Sequence, residues 1–346
     1  MLYLTTRSKF DTYTGYRALR EDRAPNGGLY LPFRMPSLTE QEVVELKNGT
    51  FGQTMAQMLN LLFGCKLTDR DVEFVIGRYP AKLTAMSQRI WVGELWHNQN
   101  NHFDHLERCI CGRICEDVIG KRIPNWMKTG TRIAALFSVY GEMLHTKSLE
   151  AGMSFDVAMP TGDFNWVMAA WYARQMGLPV ENIVCGCNEN SAVWELLHIG
   201  EFRTDAALVE TSTPDADVAV PAALERLICA TLGAEETVRY CEICEAGGVY
   251  APPGGKLETL RKGMYGAVVS SVRLQNLIPS VYRTGGYIMG PYTGLAFGGL
   301  QDYRAKTGTN RVALLIADRS PVCDSRTVCS AMGITEKELK NKLDLA

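Results

Sequence analysis

The stretch that decides the fold reads Gly93-Glu94-Leu95-Trp96-His97-Asn98-Gln99-Asn100-Asn101-His102-Phe103-Asp104-His105. The apolar residues that lead into it, Trp91 to Leu95, predict a strand. The residues from Phe103 to Ile119 predict a helix that ends at Gly120. A strand joined to a helix by a short polar link indicates the beginning of an α/β domain.

The same alternation continues toward the C-terminus. Further strands are predicted at Phe155–Pro160, Asn182–Cys187 and Arg311–Ala317, with helices at Arg132–Leu144, Phe164–Met176, Val220–Leu232 and Gly294–Lys306. A final helix begins at Ile334, where Thr335 and Glu338 form a capping box. Alternating strands and helices predict a mainly parallel sheet.

Residues 1–85 follow a different pattern, which predicts a small and mostly helical N-terminal domain. Residues 86–346 are then the α/β domain. The N-terminal elements are a turn at Asn26-Gly27-Gly28 with a short strand behind it, a helix capped by Thr39 and Glu42 that stops at Asn48-Gly49, a helix from Phe51 to Leu62, and a helix from Thr68 to about Gly77.

Composition narrows the classes of function. The net charge is −2 and no run of Lys or Arg is present, so neither a nucleic acid nor a membrane surface is expected as a partner. The first eight residues lack the features of a secretory signal, and no apolar window reaches the roughly 18 residues of a membrane helix. We therefore expect a cytoplasmic protein whose 11 cysteines are reduced thiols.

The stretch quoted first resembles the threonine synthase signature E-L-F-H-G-P-T-x-x-F-K-D, which a helix follows in that family. The family's lysine in F-K-D forms the Schiff base with pyridoxal phosphate (PLP). Here the pattern reads Phe103-Asp104-His105, which places Asp104 at the lysine position. A carboxylate cannot form an imine with an aldehyde, so no covalent PLP is expected at this position.

A second stretch, Pro160-Thr161-Gly162-Asp163-Phe164-Asn165, joins a predicted strand to a predicted helix. Such a turn can bind an anion on its N–H groups, although a single glycine there usually marks only a turn. Together with Ala169–Val180, it is similar to the family's P-S-G-N/D-F-G turn and A-x-x-A-x-x-M-G-L-P helix. The resemblance implies that residues 161–165 hold the PLP phosphate. Asn165 replaces the closing glycine, and its Cβ opposes a close approach.

Two further segments carry the resemblance. Asn182–Asn190 resembles I-V-A-T-N-E-N-D, which implies a cofactor contact for Asn188. Val312–Pro321 matches V-V-L-A-T-A-x-P, whose hydroxyl residue contacts the pyridine nitrogen of PLP in the family. Ile316 aligns with that hydroxyl residue and offers no hydrogen bond to a ring nitrogen.

One part of the family pattern is missing. Threonine synthases carry an S-G-D-T-G segment in a small domain between the lysine helix and the strand before the phosphate turn. Here only residues 121–152 lie between them, enough for one helix. The resemblance therefore implies a PLP fold-type II architecture with a truncated small domain. Near the end, Gly290 and Tyr292 replace an aspartate and a histidine of the family.

The histidines and cysteines suggest other chemistry. His97, His102 and His105 flank Asp104, and imidazoles with a carboxylate can bind zinc or iron. We interpret His97 as part of the E-L-F-H pattern and the other two as partly exposed capping residues, so no metal site is predicted. The C-x-x-C at Cys241–Cys244 is interpreted as buried small side chains, with a redox role as the alternative.

We derive three functional hypotheses. The first is a threonine synthase-like pseudoenzyme that has lost the conversion of O-phosphohomoserine to threonine and phosphate, and that binds a small anionic or amino-acid-like metabolite or a protein partner. The second is a PLP-independent enzyme in which Asp104 and His105, with His97 and His102, supply a general base, with a metal as an alternative. The third is a PLP lyase with a displaced lysine, for which Lys128 and Lys82 are nearest in sequence. A second subunit, identical or different, is an alternative source of the missing domain.

Overall fold

The strands lie in three sheets. The chain is described by a computed structural model over residues 1–76 and 81–345. The strands are β1 (Leu2–Thr5), β2 (Ser8–Thr14), β3 (Tyr30–Pro32), β4 (Lys82–Ser87), β5 (Ile90–Glu94), β6 (Phe155–Pro160), β7 (Val180–Cys187), β8 (Phe202–Arg203), β9 (Val249–Tyr250), β10 (Met264–Val268) and β11 (Ala313–Ala317).

Helices connect and cover these strands. They are α1 (Gly15–Ala18), α2 (Glu40–Glu45), α3 (Phe51–Phe63), α4 (Asp69–Ile76), α5 (Phe103–Ile114), α6 (Asn125–His145), α7 (Asn165–Gln175), α8 (Ala192–His198), α9 (Leu224–Leu232), α10 (Ala234–Glu245), α11 (Leu257–Arg261), α12 (Ser271–Gly285), α13 (Pro291–Thr307), α14 (Ser325–Met332) and α15 (Glu336–Lys342). Short 3-10 turns lie at Leu46–Asn48, Glu116–Val118, Pro214–Ala216 and Pro321–Asp324.

The central sheet has six strands in the order β10-β7-β6-β11-β5-β4. Every neighbouring pair is parallel except β4 with β5, so five strands end at the same edge. The inner strands β6 and β11 are almost wholly buried, as expected for parallel strands covered on both faces. The predicted α/β fold with a mainly parallel sheet is confirmed.

The N-terminal part has its own antiparallel sheet, in the order β2-β1-β3, and the helices α1 to α4. The turn before β3 has Gly27 at φ +78°, which explains the glycine there. Thr39 and Glu42 form the predicted capping box. The predicted helix stop at Gly77 lies outside the described residues. The strand β4 begins at Lys82 and pairs with β5, and the boundary between residues 85 and 86 stays a prediction.

The helix α6 joins the two parts. Nearly all of its residues from Asn125 to Leu144 are buried, and it packs against both α3 and α7. Gly130 allows the close approach to α3, because a Cβ on this residue would overlap the ring of Phe63. Residues 121–152 therefore contain one helix, as predicted, and that helix lies in the core.

Several predicted helices have different bounds in the structure. The helix from Phe103 ends at Ile114 instead of Ile119, because Cys115 adopts an extended conformation and a 3-10 turn follows. The helix predicted from Arg132 begins at Asn125, directly after Pro124. The helix predicted from Val220 begins at Leu224. The strand β10 and the helix α12 were not predicted.

Two expectations from composition can be compared with the structure. All eleven cysteines lie in the described part of the chain and are free thiols, as predicted. Among the helices of residues 1–76 and 81–345, none is long and apolar enough to span a bilayer.

Candidate functional site

The predicted site residues meet at the carboxyl edge of the central sheet. The start of α5 is fixed to the end of β11 by a hydrogen bond from the Phe103 N–H to the Asp318 carbonyl, at 2.6 Å, and by a β-bridge between His102 and Arg319. The turn after β6 lies at the same edge, because β6 pairs with β11 in parallel. The sheet topology thus brings Asp104 close to the turn of residues 161–165, as the resemblance implied.

Arg132 of α6 lies at the centre of these residues. Its guanidinium is 3.8 Å from Asp104 Oδ1, 3.4 Å from Glu107 Oε1 and 3.3 Å from Asp163 Oδ1. Only 6% of its side chain is exposed. Burial alone would lower the pKa of Arg132, but the carboxylates of Glu107 and Asp163 outweigh burial and raise it. Asp104, which the sequence analysis predicts to stand at the family's lysine position, is therefore one member of an ion network with Arg132, Glu107 and Asp163.

Glu107 is the most deeply buried member of this network. Its side chain is fully buried, and burial raises the pKa of its carboxyl to about 7 against the opposing effect of Arg132. In the described part of the chain, Glu107 Oε2 has no hydrogen-bond partner. A carboxyl in this environment changes charge near neutral pH.

Several backbone N–H groups of the turn after β6 already donate hydrogen bonds within the chain. The Thr161 N–H donates to the Gly186 carbonyl at 3.0 Å, and the Phe164 N–H donates to the Thr161 carbonyl at 2.7 Å. The Asn165 N–H donates to Asp163 Oδ1 at 3.0 Å. Gly162 has φ +41°, which suits a glycine. The side chain of Asp163 thus caps α7, at a place where an external anion would otherwise bind.

Asn165 and Lys128 complete the surroundings of Asp163. The fully buried Asn165 donates from Nδ2 to Asp163 Oδ2 at 2.8 Å and accepts from the Thr129 hydroxyl at 2.7 Å. Lys128 Nζ lies 3.9 Å from Asp163 Oδ2. Burial raises the pKa of Asp163, but the cations Arg132 and Lys128 outweigh burial and lower it. Asp163 is therefore a carboxylate with two cationic neighbours.

Trp166 covers the network from α7. Its indole N–H donates to Asp318 Oδ2 at 3.0 Å, and its ring lies 5.3 Å from that of Phe103. The Arg132 guanidinium lies 5.2 Å from the Trp166 ring, within cation–π range. Only 5% of Trp166 is exposed. Its indole therefore occupies space between the turn, the start of α5 and the end of β11.

The other two predicted cofactor contacts are engaged elsewhere or apolar. Asn188 Nδ2 donates to Thr211, Thr213 and Asp217 at 2.7 to 3.0 Å, and these bonds fix the loop before α9. Ile316 is buried in β11, and its Cδ1 approaches the place where a Cβ on Gly93 would lie. Both side chains therefore have their observed contacts within the chain, and their roles as cofactor contacts stay predictions.

The three histidines do not converge on one point. His97 Nε2 is 2.8 Å from the buried Glu94 carboxylate, and the His97 ring stacks on Trp96. His102 Nδ1 accepts the Asp104 N–H at 3.0 Å, which makes it the cap of α5. The ring nitrogens of His105 are 2.9 Å from the amides of Gln99 and Asn100. Among the described residues, no three His, Cys, Asp or Glu side chains are placed to hold a metal ion.

The C-x-x-C segment is distant from the sheet edge in sequence and lies on α10. Burial and the nearby Glu225 raise the pKa of the Cys241 thiol to about 12, and burial raises that of Cys244 to about 11. Both groups remain thiols at neutral pH, which opposes a redox role.

Sequence reasoning missed Arg132 and Glu107, and it named Lys128 only as a candidate for a displaced lysine. Arg132 lies in an apolar helix and Glu107 follows the apolar position Leu106, so charges in apolar surroundings were the available signal. Their partners could not be identified, because their contacts depend on how α5, α6 and α7 pack together.

The residues at this edge do not fit PLP bound in the manner of the family. Asp104, which the resemblance places at the lysine position, is a carboxylate and cannot form an imine with PLP. Trp166 fills space beside the turn, and Ile316 cannot bond to a ring nitrogen.

Comparison with known proteins agrees with the fold and the motifs. Residues 2–78 match the family described as the threonine synthase N terminus. Threonine synthase-like 1 of Homo sapiens is 25% identical over 175 residues, which are 50% of this chain and 24% of that protein. The PLP-bound threonine synthase of Brucella melitensis has the same fold, with a TM-score of 0.80 and 16% identity over 96% of this chain and 92% of that one.

These likenesses define a fold-type II protein of the threonine synthase kind. Together they support membership in the threonine synthase family. The match spans about a quarter of the human relative's length. Threonine synthase of Pseudomonas aeruginosa is 19% identical over 409 aligned positions, which cover 91% of this chain and 87% of that protein.

Proposed function

We propose that this protein is a threonine synthase homologue that does not convert O-phosphohomoserine to threonine. The observation that carries the proposal is the place of Asp104, whose carboxylate lies 3.8 Å from Arg132 at the position of the family's lysine. The contacts of Asp163, Trp166 and Asn188 support it, because each of these side chains is engaged within the chain.

The retained role that we propose is binding of a small anionic or amino-acid-like metabolite at the turn after β6. Lys128 and Arg132 are the cations that such an anion would meet. Lys128 is the more accessible, with 24% of its side chain exposed. The ligand would displace Asp163 from one or both cations, and the N-terminus of α7 would add its dipole. We place the protein in the cytoplasm, and a partner subunit or second copy that completes the site is part of the same proposal.

The test of the lost reaction begins with incubation of the purified protein with PLP. Borohydride reduction and peptide mass mapping follow, with Lys128→Gln as the matched control. We expect no protein-bound absorbance band and no modified lysine. An adduct on Lys128 that is absent from the control would instead support a lyase with a displaced lysine. A second test is complementation. If expression of this protein allowed cells that lack threonine synthase to grow without added threonine, the proposal would be contradicted.

The PLP-independent enzyme remains the second hypothesis, and one contact favours it. Asp104 Oδ1 lies 3.6 Å from His102 Nδ1, and 42% of the Asp104 side chain is exposed. The same Nδ1 accepts the Asp104 N–H, so it is already occupied as a base. This engagement makes the first hypothesis the better supported of the two.

A further inference from the structure

A cavity of about 600 Å³ lies between α4, α5 and the link from Cys115 to Pro124. Its apolar wall contains Val75, Val118 and Ile123, which are buried, together with the exposed side chains Phe74 and Ile119. Ile119 is 66% exposed and Phe74 is 68% exposed. A concave site of this size that is lined mainly by apolar groups suits a small organic ligand.

The rim of the cavity is positively charged. Among the described lining residues, three are cationic and one is a carboxylate: Arg108, Arg113 and Lys121, with Glu116. Arg113 is bound by Asp71, with its Nε at 2.9 Å from Oδ1. Among the side chains that the structure describes, no ion pair involves Arg108 or Lys121. The cavity therefore offers two cations above an apolar floor, and this combination complements a negatively charged head group on an apolar chain.

One end of the cavity is closed by a polar pair on α5. Cys109 Sγ lies 3.7 Å from His105 Nε2, and both residues line the cavity. The amides of Gln99 and Asn100 hold the His105 ring in place. Cys109 is thus a thiol within the cavity whose chemical accessibility reports on whether the cavity is filled.

We propose that this cavity binds an amphipathic organic anion. The carboxylate or phosphate of the ligand contacts Arg108 and Lys121, and its apolar chain lies on Phe74, Ile119 and Ile123. A small molecule fits better than a protein surface, because the site is concave and large enough for one medium-length chain. The inference holds whether or not the protein has kept the family reaction. None of these residues belongs to the Arg132 network, which is the set of ion pairs that Arg132 forms with Asp104, Glu107 and Asp163.

The test uses the full chain, with decanoate as the ligand and decanol as its neutral match. Fluorescence of anilinonaphthalene sulfonate, an apolar anion, reports occupancy by displacement. We expect decanoate to bind and to displace the probe at least about tenfold more effectively than decanol does, since tenfold corresponds to about 1.4 kcal/mol.

Two kinds of variant measure separately what the cations and the apolar wall contribute to decanoate binding. Arg108→Gln with Lys121→Gln should weaken decanoate binding about tenfold, while Arg34→Gln with Lys306→Gln, the same charge change at exposed positions elsewhere, should leave it unchanged. Ile119→Ser should weaken decanoate and decanol alike. Equal binding of decanoate to both double variants, or equal affinity of the wild type for decanoate and decanol, would overturn the proposal.

Alkylation supplies an independent readout. Decanoate should slow the reaction of iodoacetamide with Cys109 and leave the reaction of the exposed Cys323 unchanged, as measured by peptide mass mapping. Absence of protection at Cys109 would contradict binding in this cavity. A second copy of this chain is the alternative occupant of the cavity. Sedimentation of the wild type and of Ile119→Ser tests for it. A dimer that this substitution dissociates would assign the face to a second copy of the chain and overturn the proposal.

Discussion

Asp104 is the residue on which the proposed loss of the family reaction depends, and it also makes contacts within this chain. It lies in the first turn of α5, near Arg132. A carboxylate is favourable in the first turn of a helix. The substitution therefore fits its surroundings, and reversing it would not restore the surroundings of a lysine.

We expect Asp104→Lys to remain unable to bind PLP covalently and to lower the free energy of unfolding by about 1 kcal/mol. The reason is that a cation would replace an anion near Arg132 and at a helix N-terminus. Denaturant unfolding and mass mapping after borohydride reduction measure the two effects. Asp104→Asn is the control, because it removes the carboxylate without adding a cation. A PLP adduct at residue 104 would contradict this expectation.

Glu107 should make the stability depend on pH. Burial raises the pKa of the Glu107 carboxyl from 4.5 to about 7 in the folded state. At pH values between these two, the folded state therefore binds more protons than the unfolded state. The free energy of unfolding should therefore fall as pH rises through this window, by roughly 3 kcal/mol from this group. Glu107→Gln should remove that slope.

The measurement is denaturant unfolding at about pH 5 and about pH 8 for the wild type and Glu107→Gln. Glu150→Gln, a change at an exposed carboxylate, is the matched control and should keep the slope of the wild type. An identical pH dependence in all three proteins would show that Glu107 stays ionised across the range.

At the scale of elements, periodicity and capping residues predict some helix ends correctly and others wrongly. The capping boxes at Thr39 and Thr335 were read from four residues each, because their contacts are local. The end of α5 was wrong because Val118 and Ile119 continue the apolar spacing in a 3-10 turn and the residue after it. Those side chains face the cavity and not a continuing helix core.

We expect Gly130→Ala to destabilise the protein by roughly 1–3 kcal/mol, although alanine favours an isolated helix by about 1 kcal/mol. The added methyl group would overlap the buried ring of Phe63 and force α3 away from α6. Thermal or denaturant unfolding measures the change. Gly112→Ala is the control, since its nearest neighbour is the exposed Ile119, and Phe63→Leu in the Gly130→Ala background should recover part of the loss.

At the scale of the molecule, the two parts of the chain are joined by buried polar contacts. Arg226 of α9 is fully buried, and its Nε and Nη2 donate to the Tyr30 carbonyl of β3 at 3.2 and 2.9 Å. Its Nη1 donates to Asn125 at the start of α6. One guanidinium thus connects the N-terminal sheet, the central helix and the α/β part.

We expect the whole chain to unfold in one transition, with fluorescence and circular dichroism giving the same midpoint. Arg226→Met should lower the free energy of unfolding by roughly 2–5 kcal/mol, because the Tyr30 carbonyl and the Asn125 amide would lose a buried donor. Arg326→Met, at an exposed position, is the control and should change little. Two separate transitions in the wild type would show that the parts fold independently.

The sequence predicted which segments meet at the edge of the central sheet. It did not predict which hydrogen bonds and ion pairs their side chains form. The closeness of Asp104 to the turn at Gly162 came from motif order and parallel strand topology. The pairing of Arg132 with Glu107 and Asp163 could not be predicted, because it requires the packing of α5, α6 and α7. Long-range contacts of this kind have no local pattern in the sequence.

The Arg132 network also bears on how the protein is maintained in a cell. A protein that binds a dissolved ligand in its native state gains stability with ligand concentration. Here the cations and carboxylates at the sheet edge balance one another within the chain. We therefore expect the folded fraction to be the same in vitamin B6-starved and B6-replete cells, so that the abundance of this protein is independent of that nutrient.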